Sequence, residues 1–139
     1  MARGGADTQA AIAGRAAAVL YRGMSGISED RTPFDWETRF RDGDTPWERR
    51  QLHPAASHWL AEGVLAPGLS VIVPGCGRAP EVVAFAQAGL HVTAGDVAPT
   101  ALAWQRDRLD AAGLEASLVE ADLTQWRPDA PVDRVYEQT

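Results

Sequence analysis

The chain has 139 residues, 45% of them hydrophobic and 23% charged, enough for one domain with a sizeable core but short for a complete doubly wound enzyme. No apolar run approaches the roughly 18 residues that a membrane-spanning helix requires, so no membrane partner is expected. The formal net charge is −6 and the 13 basic residues are all arginine, which leaves no basic stripe for a nucleic acid. The single cysteine, Cys76, allows no internal disulfide and fits a reducing cytoplasm.

Residues 1–32 are rich in Ala, Gly and Arg and read as a flexible N-terminal arm with one helix near residues 8–22. The arm lacks the serine enrichment of a transit peptide and contains Asp7, and Met24 is a candidate natural start. A domain over residues 33–139 opens with Phe34, Trp36, Phe40 and Trp47 around a Gly-Asp-Thr-Pro turn. Trp36 and Phe40, four apart, share one helix face. That face suits packing on a sheet, a lid over a ligand, or both.

Three later segments, 54–62, 80–88 and 99–112, each open on proline and are followed by Gly63, Gly89 and Gly113. Proline at the start and glycine past the end is the asymmetry of helices. Between them lie β-rich runs at 69–73, 91–94, 116–119 and 132–137. The alternation predicts an α/β fold with a parallel sheet, and right-handed crossovers give the strand order 3-2-1-4. The sheet is expected to be incomplete at Thr139, leaving an exposed fourth strand through which the chain could self-associate.

Residues 71–81 read Val-Ile-Val-Pro-Gly-Cys-Gly-Arg-Ala-Pro-Glu: a strand, a glycine turn and a helix start. Gly75 and Gly77 allow a sharp turn and a close approach of backbone to ligand. Asp96 closes the second strand 21 positions after Gly75, the place from which an acid hydrogen-bonds ribose hydroxyls, although it could also cap the helix opening at Pro99. A dinucleotide site would want a third glycine at position 80, where this chain has proline. A nucleoside without pyrophosphate, such as S-adenosylmethionine, makes no such demand. Asp122 follows the third strand, where it could accept from an adenine amino group or serve as a turn residue. Cys76 has no evident histidine or asparagine partner and suits packing, and His53 and His58 flank a helix start as surface or capping residues.

Five ordered motifs then carry a resemblance: Trp36 with Arg39-Phe40 and Gly43-Asp-Thr-Pro-Trp47; Val73-Pro-Gly-Cys-Gly77; Ala94-Gly-Asp96; Glu120-Ala-Asp122 with Trp126-Arg-Pro128; and Asp133-Arg-Val-Tyr-Glu137. Over residues 34–139 the chain resembles the thiopurine S-methyltransferase family, which includes bacterial members and plant thiol and halide methyltransferases. The resemblance implies a Rossmann-like class I methyltransferase with S-adenosyl-L-methionine as cofactor. It implies a methyl-donor site with an aromatic cover from Trp36, Phe40 and Trp47, and with Gly75 and Gly77 in the first loop. Asp96 would then hold the ribose, Asp122 and Leu123 surround the adenine, and Gln138 complete the site. Some members carry arginine at that last position; the neutral glutamine here removes a carboxylate-pairing charge.

The implied reaction is in-line displacement at the sulfonium methyl by a soft nucleophile, a small thiol or thiopurine-like acceptor. Positioning and aromatic shielding of the cation supply most of the catalysis, a dedicated base is optional because such acceptors ionise readily or need no deprotonation, and three scattered histidines make no metal site. A halide, thiocyanate or hydrosulfide acceptor is the alternative within the same chemistry, and an inactive cofactor-binding fragment is the alternative outside it. A nicotinamide dehydrogenase is disfavoured by Pro80.

Overall fold

A computed structural model of the chain describes residues 34–138; the expected arm and its helix over 8–22 lie outside the described residues. Helix α1 (Trp36–Asp42) starts where the Asp35 carboxylate accepts the Thr38 amide, and it ends on Gly43 in the left-handed region. Helix α2 (Pro54–Ala61) is capped by His53, whose Nδ1 accepts from the Ala55 amide at 3.1 Å, the capping role read from the sequence. Then follow β1 (Ser70–Pro74), α3 (Glu81–Gln87), β2 (His91–Asp96), α4 (Pro99–Ala112), β3 (Ser117–Glu120) and β4 (Arg134–Val135). All pairings are parallel and the order is β3-β2-β1-β4, as the crossover argument requires. Among the described residues no helix is long and apolar enough to cross a membrane.

β1 and β3 lie one residue later than expected, and β2 and β4 differ from expectation in length. β2 runs on to Asp96 because Gly95 and Asp96 pair with Val119 and Glu120 of β3, so the second strand delivers its acid at the very end of the sheet. β4 has two residues where six were expected. The reason lies at its start, where side chains replace the ladder: the Asp133 carboxylate accepts from the Ser70 amide (2.8 Å) and hydroxyl (3.1 Å), and the Asp133 amide donates to Ser70 Oγ (2.9 Å). Beyond the strand the Tyr136 amide still donates to the Ile72 carbonyl. The other edge of β4 faces no strand among the described residues.

The main core gathers Val71 and Val73 of β1, Val82 and Phe85 of α3, Val92 and Ala94 of β2, and Leu102 and Leu109 of α4. Consecutive burial of Val71, Ile72 and Val73 marks a strand covered on both faces, as parallel sheets are. A smaller cluster of Phe40, Ala98 and Ala101, with Trp36 against it, docks α1 on the start of α4. The Glu37 carboxylate secures that docking by accepting from the amide and the hydroxyl of Thr100.

The Ser70–Asp133 staple predicts a local effect. Asp133→Ala should speed hydrogen exchange at the Tyr136 amide several-fold while leaving exchange in the main core unchanged. The amide and hydroxyl of Ser70 hold the Asp133 carboxyl below the usual carboxylate range. Its contribution is therefore complete above that range and is lost as pH falls through the lowered value. Protection of the Tyr136 amide should fall on acidification in the native chain and be insensitive to Asp133 titration in the variant.

Candidate functional site

The carboxyl ends of β1 and β2 meet at the loop over residues 75–80. Gly75 and Gly77 both have positive φ, +58° and +46°, yet their surroundings differ. A Cβ at Gly77 would stand 3.0 Å from the Phe40 ring, whereas a Cβ at Gly75 would meet nothing within 4 Å. Gly77 is thus a packing glycine, and Gly75 borders open space where backbone can approach a ligand.

Three long-range contacts hold this loop. The Cys76 amide donates to the Gly95 carbonyl of β2 at 2.9 Å. The buried Gln105 of α4 donates through Nε2 to the carbonyls of Gly77 and Ala79, both at 3.0 Å, while its Oε1 is buried without a partner. Asp96, 6% exposed, accepts from the Gly77 amide at 2.8 Å through Oδ2 and from the Ala98 amide at 2.9 Å through Oδ1. Asp96 thereby latches the glycine loop and also turns the chain into α4. Burial raises its pKa, held back by the amides of Ala98, Gly77 and Val97, with the Glu37 charge pushing it further up. An ionised carboxylate offers about four acceptor positions, so acceptor capacity remains for another donor.

Burial, and then the Asp96 charge, push the Cys76 thiol far above its usual range. A thiol that stays protonated is no nucleophile, and Cys76 packs in the core as expected from its lack of partners.

Beside the loop stands the aromatic segment. Trp47 lies edge-on to Trp36 (centroids 5.4 Å) and to Phe40 (5.9 Å), and Phe34 tilts against Trp36 at 4.2 Å. Phe40 is 3% exposed and Trp47 41%, so one ring packs while the other remains open. Helix α1 therefore has the packed face expected of it at Phe40, and the half-exposed Trp47 of the following turn lies under the Arg39 guanidinium, 5.2 Å from its ring centroid. The Arg78 guanidinium joins cover to loop, donating to the Phe40 carbonyl at 2.7 Å, lying 5.6 Å from the Phe40 ring centroid and facing Glu48 at 3.6 Å.

The structure thus brings Trp36, Phe40, Trp47, Gly77 and Asp96 into one chain of contacts. Leu123 adjoins it, since its Cδ2 lies 3.0 Å from where a Cβ on Gly95 would be. Asp122 is exposed and accepts through Oδ1 from the amide (2.9 Å) and hydroxyl (2.6 Å) of Thr124, bonds that lower its pKa; in the described structure it is a turn residue. Gln138 is exposed and contacts Tyr136, whose hydroxyl is 3.1 Å from its side-chain oxygen.

Arg78, Glu81, Gln105 and Tyr136 were not singled out from sequence. For Gln105 a signal existed: it falls on the buried α4 stripe of Ala101, Leu102 and Leu109, where a polar residue needs a buried partner.

Compared with known proteins, residues 31–138 match the profile of the thiopurine S-methyltransferase (TPMT) family. The chain belongs to this family. It is 29% identical over 115 residues to a probable thiol methyltransferase 2 of Arabidopsis thaliana, covering 81% of this chain and 50% of the relative. It is 29% identical over 104 residues to thiocyanate methyltransferase 1 of Brassica oleracea, covering 73% and 46%. This member of the thiopurine S-methyltransferase family therefore spans about half the length of the curated relatives it matches. Among solved structures, a SAM-dependent methyltransferase from Thiobacillus denitrificans in complex with S-adenosyl-L-homocysteine superposes with a TM-score of 0.60 at 16% identity, covering 76% of this chain and 44% of that one. The shared fold is the Rossmann-like methyltransferase sheet, and in the TPMT-family chain its carboxyl edge carries the Gly75 loop and Asp96.

Proposed function

We propose that this chain binds S-adenosyl-L-methionine at the Gly75–Asp96 corner and is the cofactor-binding part of an enzyme that methylates a small thiol or thiopurine-like acceptor. The observation that carries the reading is the pairing of open space at Gly75 with a buried carboxylate, Asp96, that latches the same loop and keeps acceptor positions free. These features fit a nucleoside: backbone at Gly75 can approach it, and Asp96 can accept from two ribose hydroxyls. Leu123 supplies an apolar wall for a base, and Asp122 an acceptor beyond it.

When bound, the donor supplies an electrophilic methyl on a sulfonium. The chain's own part is to bind, orient and shield. The exposed Trp47 ring offers a π face to a cation, and Phe40 and Arg78 fix its segment against the loop. Orientation at near-attack distance is the main catalytic contribution, because acidic thiols reach the thiolate without a protein base.

A thiocyanate acceptor is favoured by the similarity to the Brassica enzyme; a halide acceptor and a binding domain without turnover are the other readings. The reading also includes a cytoplasmic setting, in keeping with the free thiol of Cys76, and self-association through the outer edge of β4. A monomer by light scattering at all concentrations would remove that last element.

Calorimetric titration with S-adenosyl-L-homocysteine tests the core of the proposal. Micromolar binding is expected, and absence of binding would reject it. Turnover of labelled donor with a panel of thiols, thiocyanate and iodide then separates the acceptors, and binding without turnover on any of them identifies the fragment.

A further inference from the structure

Glu81, the first residue of α3, is 1% exposed and takes part in none of the ion pairs among the described residues. A carboxyl group buried without a charged partner is costly and is retained where its hydrogen bonds matter. Its Oε1 accepts from the His53 amide at 2.9 Å and lies 3.2 Å from the Tyr136 hydroxyl. One oxygen thus ties together the residue before α2, the helix after the glycine loop and the residue after β4.

The Tyr136 hydroxyl stands between two oxygens, Glu81 Oε1 and, at 3.1 Å, the side-chain oxygen of Gln138. A phenol has one proton. Oε1 of Glu81 accepts from the His53 amide and also from the Tyr136 hydroxyl, which commits its proton there. Toward Gln138 the hydroxyl can then offer only a lone pair. The amide satisfies it by rotating about its last bond, which puts Nε2 in the place of Oε1 without any change of shape. The Gln138 carbonyl oxygen is thereby turned outward. Burial, followed by the charge of Glu81, pushes the Tyr136 phenol upward, so it retains the proton that this arrangement needs.

The sheet register gives the level of Gln138 along the sheet. Val71 pairs with Arg134 and Ile72 with Val135. Continued along the chain, that register brings Gln138 level with Gly75, the glycine that borders open space.

We infer that Glu81, acting through Tyr136, orients the Gln138 amide so that its carbonyl oxygen accepts from the α-ammonium group of the bound donor's amino-acid end. The inference rests on the proposed donor binding. Gln138 is the contacting residue, and Glu81 and Tyr136 are positioning residues. The relay selects a ligand that presents a cation at this point and leaves its carboxylate to backbone amides.

Three ligands test it by calorimetry on the full chain: S-adenosyl-L-homocysteine, its analogue lacking only the amino group, and 5′-methylthioadenosine, which lacks the whole amino-acid end. The native chain should bind the deaminated analogue about 10-fold more weakly than S-adenosyl-L-homocysteine, the loss expected for one hydrogen bond to a charged group. Tyr136→Phe should weaken S-adenosyl-L-homocysteine by the same factor and leave the deaminated analogue and methylthioadenosine unchanged. Glu81→Gln, which retains an acceptor oxygen, should preserve native affinities, whereas Glu81→Met should behave as Tyr136→Phe. A parallel loss for all three ligands in Tyr136→Phe would mean a structural role only and would overturn the inference, as would no loss for any of them. Failure of the native chain to bind even methylthioadenosine would instead reject the donor-binding reading itself.

Discussion

Asp96→Ala is expected to lower both stability and cofactor affinity more than any other single substitution in the site. The change leaves the amides of Gly77 and Ala98 buried without their acceptor. Each such loss costs about 1–3 kcal/mol, so about 2–6 kcal/mol in all, a large share of the ~5–15 kcal/mol that holds a domain folded. For a chain of this size that corresponds to a fall in Tm on the order of 10 °C. Affinity for S-adenosyl-L-homocysteine should drop more than 100-fold, on the order of 3 kcal/mol, because the freed loop and the missing ribose acceptor act together. Calorimetry of unfolding and of binding measures the two losses separately. A variant that melts like the native chain would show that the latch is not structural, and one that binds normally would remove Asp96 from the site.

The pH dependence has a definite sign. Asp96 has its pKa raised, by burial first, so the native state holds its proton more tightly than the unfolded chain. Its titration therefore lowers stability as pH rises from the ordinary carboxylate range through the raised value. The stability gap between the native chain and Asp96→Ala should narrow over that interval.

The two loop glycines should fail in opposite ways. Gly77→Ala places a methyl group 3.0 Å from the buried Phe40 ring at a left-handed φ of +46°. The backbone costs about 1–2 kcal/mol and displacement of a packed ring about 1–3 kcal/mol, giving a total of roughly 2–5 kcal/mol. A second change, Phe40→Leu, should recover part of the steric share in a double-mutant cycle and none of the backbone share. Gly75→Ala meets nothing within 4 Å, so its cost to folding is only the backbone's, about 1–2 kcal/mol. Its methyl group enters the space reserved for ligand, and affinity for S-adenosyl-L-homocysteine should fall about 100-fold or more at a nearly native Tm. Native affinity in Gly75→Ala would show that the open space beside this glycine is not the binding site.

Much of this molecule was legible before its structure. Proline openings and glycine closings located α2, α3 and α4 within a residue or two, because both signals act through the local backbone. The runs of Val and Ile marked the inner strands, and the crossover rule alone gave the order β3-β2-β1-β4. Asp96 at the end of β2 and the glycine loop at the end of β1 follow directly from that order. The fourth strand is shorter than expected at both ends: before it the Asp133 side chain takes the bonds that a ladder would use, and beyond it the Tyr136 amide alone continues to pair with β1.

What the sequence determined by itself is the fold, the family motifs and the edge of the sheet at which a ligand would sit. Only the tertiary structure distinguished Gly75 from Gly77, which are alike in a sequence and differ through Phe40, a residue from another helix. Only it showed that Gln105 and Glu81 are buried partners of the loop and of Tyr136, since either could pass for an ordinary polar residue on a helix surface. The physical reason is range. Backbone preferences are set by near neighbours, whereas the polar contacts that shape this site join positions far apart, Gly77 to Gln105, Glu81 to Tyr136 and Glu37 to Thr100, and exist only once the chain has packed.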